Sequence, residues 1–269
     1  LFDIAAEVAM EPAFPSSSFD KLKNQFATSL KNERDNPGTI RSNVSRALLY
    51  GVDHPSGELV NETTVNAVSL KDCETFYKTY WKPNIATLVI VGDIQVDQAR
   101  NLAEAYFGGW KGKFKKPVTF DAPAKQNNTR IALVNRDASV QSSIIVTNTL
   151  YLPVGHPDAE AMSVMNQILG AGSAGRLFQN LREDKAYTYG AYSNYGSSQY
   201  VSSFDASAEV RNAVTDSAVA EFLYEINRIQ TETVSAEDLR AAKNNLSGSF
   251  GRSLESPRTV ARFASNILE

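Results

Sequence analysis

The stretch Leu169-Gly-Ala-Gly-Ser-Ala-Gly-Arg-Leu-Phe178, followed by Leu181-Arg-Glu-Asp-Lys-Ala-Tyr-Thr-Tyr-Gly190, decides how the second half of this chain folds. Gly170, Gly172 and Gly175 permit tight or left-handed backbone, which favours a flexible turn between two helices. A phosphate-binding loop is the alternative, but the Gly-Lys-Ser/Thr ending of a P-loop is missing and the segment follows a helical pattern rather than a strand. We therefore expect a helix–turn–helix segment that leads into a strand.

Outward from this stretch, the spacing of apolar residues predicts alternating helices and strands. Runs rich in β-branched and apolar residues predict strands at 86–91, 130–135, 140–148, 187–195 and 201–210. Helical spacing and capping residues predict helices at 2–10, 19–34, 96–107, 158–169, 214–230 and 236–253. Four further helices are predicted with only part of their bounds: one passes through 44–48, one begins near 69, one ends at 182 and one runs from 257 onward. The predicted fold class is α+β, with helices covering one face of each sheet.

The composition excludes several classes of function. A net charge of -3 gives no electrostatic footprint for nucleic acid, and no apolar run approaches the roughly 20 residues that a membrane-spanning helix requires. The single cysteine, Cys73, excludes an intramolecular disulfide. The two histidines, His54 and His156, have no histidine or glutamate partner at metal-ligand spacing. We therefore predict no metal site in this sequence.

Two parts of the chain resemble each other at an offset of 220 residues. Residues 23–26 align with 243–246, and Pro37 aligns with Pro257. Two capped helices joined by a proline turn are common, so a chance match stays open. A true repeat implies two homologous domains, with the beginning of the first expected upstream of Leu1. Residues 1–115 are predicted to be the later part of a first domain, and 116–129 a linker. Residues 130–269 are predicted to be a second domain that is truncated at its end.

Arg182 and Tyr189 are the most informative pair of polar side chains. Arg182 is predicted at a helix end and Tyr189 in the strand that follows, so a guanidinium and a phenol can converge in a cleft. Both groups donate hydrogen bonds, so together they can bind a peptide carbonyl and stabilise an oxyanion that forms on it. In the alternative, Arg182 pairs with a surface carboxylate and Tyr189 packs as an ordinary strand aromatic. The residues by themselves leave both open.

The two stretches quoted above resemble the C-terminal domain of the pitrilysin (insulinase) family of zinc metallopeptidases, which includes the mitochondrial processing peptidases. Weaker matches extend the resemblance over nearly the whole chain: Phe14-Pro15, Asp35-Asn-Pro37, Tyr80–Asn84, Leu88–Asp93, Gln141 and Val234–Leu239. The resemblance implies two homologous α/β domains with mostly antiparallel sheets, in agreement with the offset of 220 residues.

The resemblance also implies roles for particular residues. The family's Arg/Tyr pair, which helps to hold the substrate carbonyl at the zinc ion, falls on Arg182 and Tyr189, and the spacing of seven residues matches. The loop that contains Gly170, Gly172 and Gly175 is expected near the substrate. These residues are therefore the candidate substrate-binding site of the chain.

The zinc-binding motif of the family has no counterpart in this sequence. In the family, an inverted H-x-x-E-H helix of the first domain binds zinc, its Glu acts as general base, and a Glu further downstream completes the site. Thr28 or Ser29 stands where that further Glu is expected, unless a shifted alignment places Glu33 there. The resemblance implies no catalytic residue and no zinc ligand in this fragment, with zinc expected in the complete assembly.

The expected function is that of a non-metal half or subunit of a pitrilysin-like zinc metallopeptidase, inactive alone. Two alternatives remain: a catalytically inactive structural or peptide-binding module of the same fold, and a fragment of an active protease whose zinc motif precedes Leu1. The expected partners are a peptide substrate and a domain or subunit that carries zinc, with association with another copy left open. The family implies a bacterial periplasm or cell envelope location.

Overall fold

The computed structural model describes residues 1–115, 119–123, 128–153, 155–198 and 200–268. Contacts divide the chain into two compact units, one made of 1–31, 60–119 and 249–269 and the other of 32–59 and 120–248. Of the predicted linker 116–129, residues 116–118 and 124–127 lie outside the described residues. The predicted division into two homologous domains stays a prediction.

In the part of the chain that the structure describes, six α-helices precede the first strand, and the elements follow one another in the order given next. The elements are α1 (Phe2–Met10), α2 (Ser16–Glu33), α3 (Pro37–Tyr50), α4 (Glu62–Ala67), α5 (Leu70–Tyr80), α6 (Val96–Phe107), β1 (Gln141–Leu150), α7 (Ala159–Leu169), α8 (Arg176–Phe178), a π-helical turn (Gln179–Asp184), β2 (Thr188–Tyr195), β3 (Ser202–Arg211), α9 (Thr215–Thr231), α10 (Ala236–Ser253) and α11 (Pro257–Leu268). Among the described helices, none combines the length and the apolar character needed to cross a membrane.

Side-chain caps explain where several helices begin. The Asn36 side chain accepts a hydrogen bond from the backbone N–H of Thr39, and Pro37 occupies the first helical position of α3. Ser69 and Asp72 form both halves of a capping box at the start of α5, which begins where the sequence predicted a helix. The hydrogen bond from the Ser69 hydroxyl lowers the pKa of the Asp72 carboxyl, so this cap keeps its charge.

Two of the predicted strands are wrong. Residues 86–91 and 130–135 form neither helix nor strand and pair with no strand among the described residues. Most side chains in the two runs are exposed, above all those of Ile131 and Leu133. A run of β-branched and apolar residues indicates that a segment would fit the pleated surface of a sheet. A strand also needs a neighbouring strand to pair with its backbone N–H and C=O groups. The sequence pattern therefore indicated β-strand propensity, but it carried no information on strand pairing.

The sheet of the second unit has three antiparallel strands in the order β1-β3-β2. The central strand β3 alternates strictly, because Ala206, Ala208 and Val210 are fully or nearly fully buried while the residues between them are not. Phe222 of α9 and Leu169 of α7 pack on this buried face. Small side chains on the strand let both helices approach the sheet closely. The predicted α+β class is thereby confirmed, with helices α7 and α9 covering one face.

The opposite face of the sheet is polar, and α3 contacts it over β1. Arg41 of α3 donates hydrogen bonds to the Ser143 hydroxyl and the Glu209 carboxylate, both at 3.0 Å. Ser143 and Glu209 alternate with buried neighbours along β1 and β3, so they lie on the face away from α7 and α9. We call this surface, formed by the outward-facing residues of the three strands, the open face.

A buried polar network ties the π-helical turn to α9. Asn180 donates two hydrogen bonds of 2.9 Å from its amide nitrogen, one to Glu221 and one to Glu225. Glu225 is only 2% exposed, and Arg228 lies 3.5 Å from its carboxylate. A hydrogen bond to Glu232 raises the pKa of Arg228, which favours the charged guanidinium beside the buried carboxylate. The network fixes the turn that carries Arg182.

Replacing Phe222 by Ala should lower the free energy of unfolding by about 3–5 kcal/mol, because it leaves a cavity between α9 and the sheet. Leu223 is its neighbour on the same helix and is 53% exposed, so Leu223→Ala should change that free energy by less than about 1 kcal/mol. Urea denaturation followed by circular dichroism measures both. Equal losses in the two variants would contradict the assignment of this core.

Replacing Asn180 by Ala should lower the free energy of unfolding by about 2 kcal/mol, since a buried carboxylate loses its donor. Lys185 also contacts Glu221, at 3.5 Å, but its side chain is half exposed. Lys185→Ala should therefore cost less than about 1 kcal/mol. The same denaturation experiment compares the two, and a larger loss for Lys185→Ala would show that the network depends on its surface pair instead.

Candidate functional site

A β-bulge at the start of β2 sets the direction of Tyr189. Thr188 pairs with Val210 and Ala191 pairs with Ala208, so β2 advances three residues while β3 advances two. The extra residue breaks the alternation of the strand. In a regular strand Tyr189 would point to the same face as buried Ala191, two residues further on, but Tyr189 is 85% exposed. Bulges commonly re-aim a side chain in this way, and here the bulge sends the phenol into solvent rather than into the core.

The bulge is held by the Thr188 hydroxyl and by the glycine that follows. The Thr188 hydroxyl donates to the backbone carbonyl of Glu209 at 2.6 Å and accepts from the N–H of Gly190 at 3.2 Å. A Cβ at Gly190 would lie 2.6 Å from the ring of Tyr192, so no larger residue fits without displacement. A hydroxyl and a glycine thus stabilise the irregular backbone around Tyr189.

Arg182 lies in the π-helical turn just before β2. Its guanidinium carbon is 4.8 Å from the centre of the Phe178 ring, and its Nε is 3.4 Å from the Glu183 carboxylate. No described residue accepts a hydrogen bond from its terminal nitrogens. The pair with Glu183 is exposed and therefore weak. Single π-helical turns occur often at functional sites, and this one leaves two guanidinium nitrogens available to a ligand.

A tight turn joins the π-helical segment that carries Arg182 to the strand that carries Tyr189. The N–H of Ala186 donates to the carbonyl of Arg182 at 3.1 Å, and the N–H of Tyr187 donates to the carbonyl of Leu181 at 2.9 Å. Ala186 has a left-handed φ of 52°. The structure thus places both predicted residues at the surface, one on each side of a hydrogen-bonded turn. That they bind a substrate stays a prediction.

The glycine loop packs on the free edge of β2. The Gly170 carbonyl accepts a hydrogen bond of 2.9 Å from the Ser193 N–H, and a Cβ at Gly170 would lie 2.7 Å from that nitrogen. A Cβ at Gly175 would lie 2.7 Å from the Cα of Gly170, whereas Gly172 faces open space. None of the three glycines has a positive φ, so a left-handed backbone conformation is not the reason for glycine at these positions. Gly170 and Gly175 are needed for close packing.

A pocket of about 290 Å³ lies between this loop and the open face. Gly170 and Ala171 form one side, and Tyr192, Asp205 and other polar residues of β2 and β3 form the rest. Sequence reasoning missed both the pocket and the bulge. The glycine at 190, inside a strand pattern, was the available signal for the bulge.

The residues considered as metal ligands are engaged in local structure. The Nδ1 atom of His54 accepts a hydrogen bond from the Ser56 N–H, and that of His156 accepts from the Asp158 N–H. The hydroxyl of Thr28 donates to a backbone carbonyl one helical turn away. Across the described ranges, no three His, Cys, Asp or Glu side chains lie together as metal ligands would.

Solved structures of other proteins share this fold. A crystal structure described as a protease from Helicobacter pylori aligns with a TM-score of 0.91 at 21% identity, over 99% of this chain and 65% of that one. A peptidase M16 inactive domain from Pseudomonas fluorescens aligns with a TM-score of 0.82 at 24% identity, over 92% of this chain and 60% of that one. At these identities the likeness shows the fold alone.

Sequence comparisons identify the family. The Bacillus subtilis (strain 168) protein named "Uncharacterized zinc protease YmxG" is 23% identical over 259 residues, which cover 94% of this chain and 61% of that protein. This chain therefore spans less than two thirds of that relative. The sequence profile described as the peptidase M16 inactive domain matches residues 67–246, well over half of the chain. The resemblance to the pitrilysin family is confirmed, and the chain belongs to the peptidase M16 inactive domain family.

Proposed function

We propose that this chain is the non-metal half of a pitrilysin-like zinc metallopeptidase, either as the second unit of a longer polypeptide or as a separate subunit. In this proposal Arg182 and Tyr189 hold the carbonyl of the peptide bond that is cleaved. The observation that carries the proposal is the bulge in β2. The bulge exposes Tyr189 in β2, and a short hydrogen-bonded turn connects this strand to the segment that presents the terminal nitrogens of Arg182.

The two donors suit a carbonyl oxygen that gains negative charge. The Arg182 guanidinium provides N–H donors in a planar fork, and the Tyr189 phenol adds an O–H donor. Donors fixed in advance stabilise an oxyanion more than they stabilise the ground-state carbonyl, which is how they lower the barrier. The ring of Phe178 beneath the guanidinium and the closed turn both limit the movement of these donors.

The residues described in this chain do not fit a zinc site, so we assign zinc to the other half of the assembly. A zinc ion there would polarise the scissile carbonyl and activate water. The glycine loop has a different role in the proposal. Gly172 faces open space beside the pocket, so a peptide backbone can approach the loop closely at that residue.

Two alternatives lead to different measurements. An inactive structural or peptide-binding module agrees with the description of the family as an inactive domain, and it requires neither zinc nor hydrolysis in the assembly. A fragment of a protease with its own zinc motif requires an H-x-x-E-H sequence upstream of Leu1. The names of the relatives as zinc proteases favour an assembly that contains zinc. Reading the upstream sequence separates the second alternative from our proposal.

Removing the Arg182 guanidinium should lower the kcat/KM of peptide hydrolysis by about 10²–10³-fold, the usual effect of losing one oxyanion donor. The assembly is purified through a tag on this chain, and its zinc content and hydrolysis of a fluorogenic peptide are measured for Arg182→Ala and Tyr189→Phe. Tyr224→Phe is the matched control, because Tyr224 is an exposed side chain of the same unit outside the proposed site. The control should retain full activity.

Unchanged hydrolysis in Arg182→Ala, with normal zinc content and normal circular dichroism, would refute the proposed role. An assembly that contains no zinc and cleaves no peptide would instead favour the inactive module.

Thr188 should act as a positioning residue for Tyr189. Thr188→Val removes the hydroxyl that holds the bulge at nearly constant volume, so we expect about a 10-fold loss of kcat with little change in KM. Thr188→Ser keeps the hydroxyl and should recover most of the activity. Nitration by tetranitromethane gives a second readout, since Tyr189 should react more slowly when the bulge is lost. Equal kinetics in the Val and Ser variants would contradict this role.

A further inference from the structure

We propose that the pocket beside the glycine loop binds the basic side chain of a peptide, and that Asp205 determines this specificity. The inference deepens the proposed function, since it names the chemistry of the peptide, but the binding step requires neither zinc nor hydrolysis. The ligand class is an organic cation, the guanidinium of arginine or the ammonium of lysine.

The carboxylate of Asp205 is held in place but not neutralised. The hydroxyl of Ser203 donates to one of its oxygens at 2.9 Å, and the hydroxyl of Thr147 donates to the other. Within the described ranges no Lys, Arg or His nitrogen lies within 4.0 Å of it. The carboxylate is only partly exposed, so it gives up part of its hydration without gaining a counter-ion. A bound cation would offset that cost.

The second acidic residue of the open face gives the contrast. Glu209 lies four residues further along β3 on the same face, and Arg41 forms an ion pair with it at 3.0 Å. The Ser143 hydroxyl donates to the same carboxylate oxygen at 2.6 Å. Glu209 is therefore satisfied within the chain, whereas Asp205 lacks a cation at the place where the pocket opens.

The other walls of the pocket suit an organic cation. Asn194 is directly opposite Asp205 in the strand pairing, and Ser207 is directly opposite Tyr192, so all four side chains lie on the open face. Tyr192 is 46% exposed, and an aromatic face attracts a guanidinium or an ammonium group. The amide and the hydroxyl provide oxygens that accept hydrogen bonds from it.

The pocket is also close to the proposed carbonyl site. The Tyr192 ring contacts the Phe178 ring with centres 5.7 Å apart, and the Arg182 guanidinium lies on the same Phe178 ring. A peptide whose carbonyl meets Arg182 can therefore reach the pocket with a neighbouring side chain. A metal ion fits less well, because Asp205 does not belong to any group of three potential metal ligands among the described residues.

The test compares two labelled peptides that differ at one position, arginine in one and the isosteric, neutral citrulline in the other. Binding to the full-length protein that contains this chain is measured by fluorescence anisotropy in the presence of EDTA. The arginine peptide should bind about 10-fold more tightly, the usual effect of one charge-assisted hydrogen bond. Asp205→Asn should remove this difference, and Glu209→Gln, the matched control, should keep it.

A second variant tests the same pocket in case Asp205→Asn fails to fold. Ser207→Leu keeps the Asp205 carboxylate but fills the pocket, so it too should bring the arginine peptide down to the level of the citrulline peptide. Equal binding of the two peptides to the unmodified protein would overturn the inference, as would a preference for arginine that survives both variants. Loss of the preference in both variants supports the pocket even in an assembly that hydrolyses no peptide, so the inference and the proposed function can fail separately.

Discussion

The close contact between helices and the central strand β3 is the constraint on which the second unit depends. Ala206 and Ala208 leave room above the strand, and Phe222 of α9 and Leu169 of α7 fill it. Because the side chains of a strand alternate, burying one set directs the other set to the open face. The same strand register therefore places the hydrophobic core on one side of the sheet and the outward-facing side chains, including Asp205 and Glu209, on the other.

The candidate site residues are placed by two departures from regular structure that this core supports. The bulge in β2 turns Tyr189 outward while Ala191 and Ser193 remain buried next to it. The π-helical turn presents Arg182, and Asn180 fastens that turn to buried Glu225. Irregular backbone costs free energy and persists only where the surrounding packing determines it. In this unit the rigid core and the exposed donors are parts of one arrangement.

Most helices, the three strands of the sheet and the α+β class were predictable from sequence, because apolar spacing and capping residues such as Ser69 act locally. The strands predicted at 86–91 and 130–135 failed because pairing depends on a neighbour that local pattern does not contain. The pair Arg182 and Tyr189 came from spacing and family resemblance. The bulge that exposes Tyr189 depends on the register with β3, which no single segment encodes.

The two carboxylates of the open face show why function is better inferred from partners than from residue type. In sequence, Asp205 and Glu209 are equivalent acidic residues on one face of a strand. In the structure, Arg41 from a distant helix neutralises Glu209, whereas hydroxyls alone hold Asp205 beside a pocket. Hydroxyl donors orient a carboxylate without cancelling its charge, so its field extends into the pocket. An oriented, uncancelled charge next to exposed aromatic surface favours a ligand of opposite charge over a purely structural role.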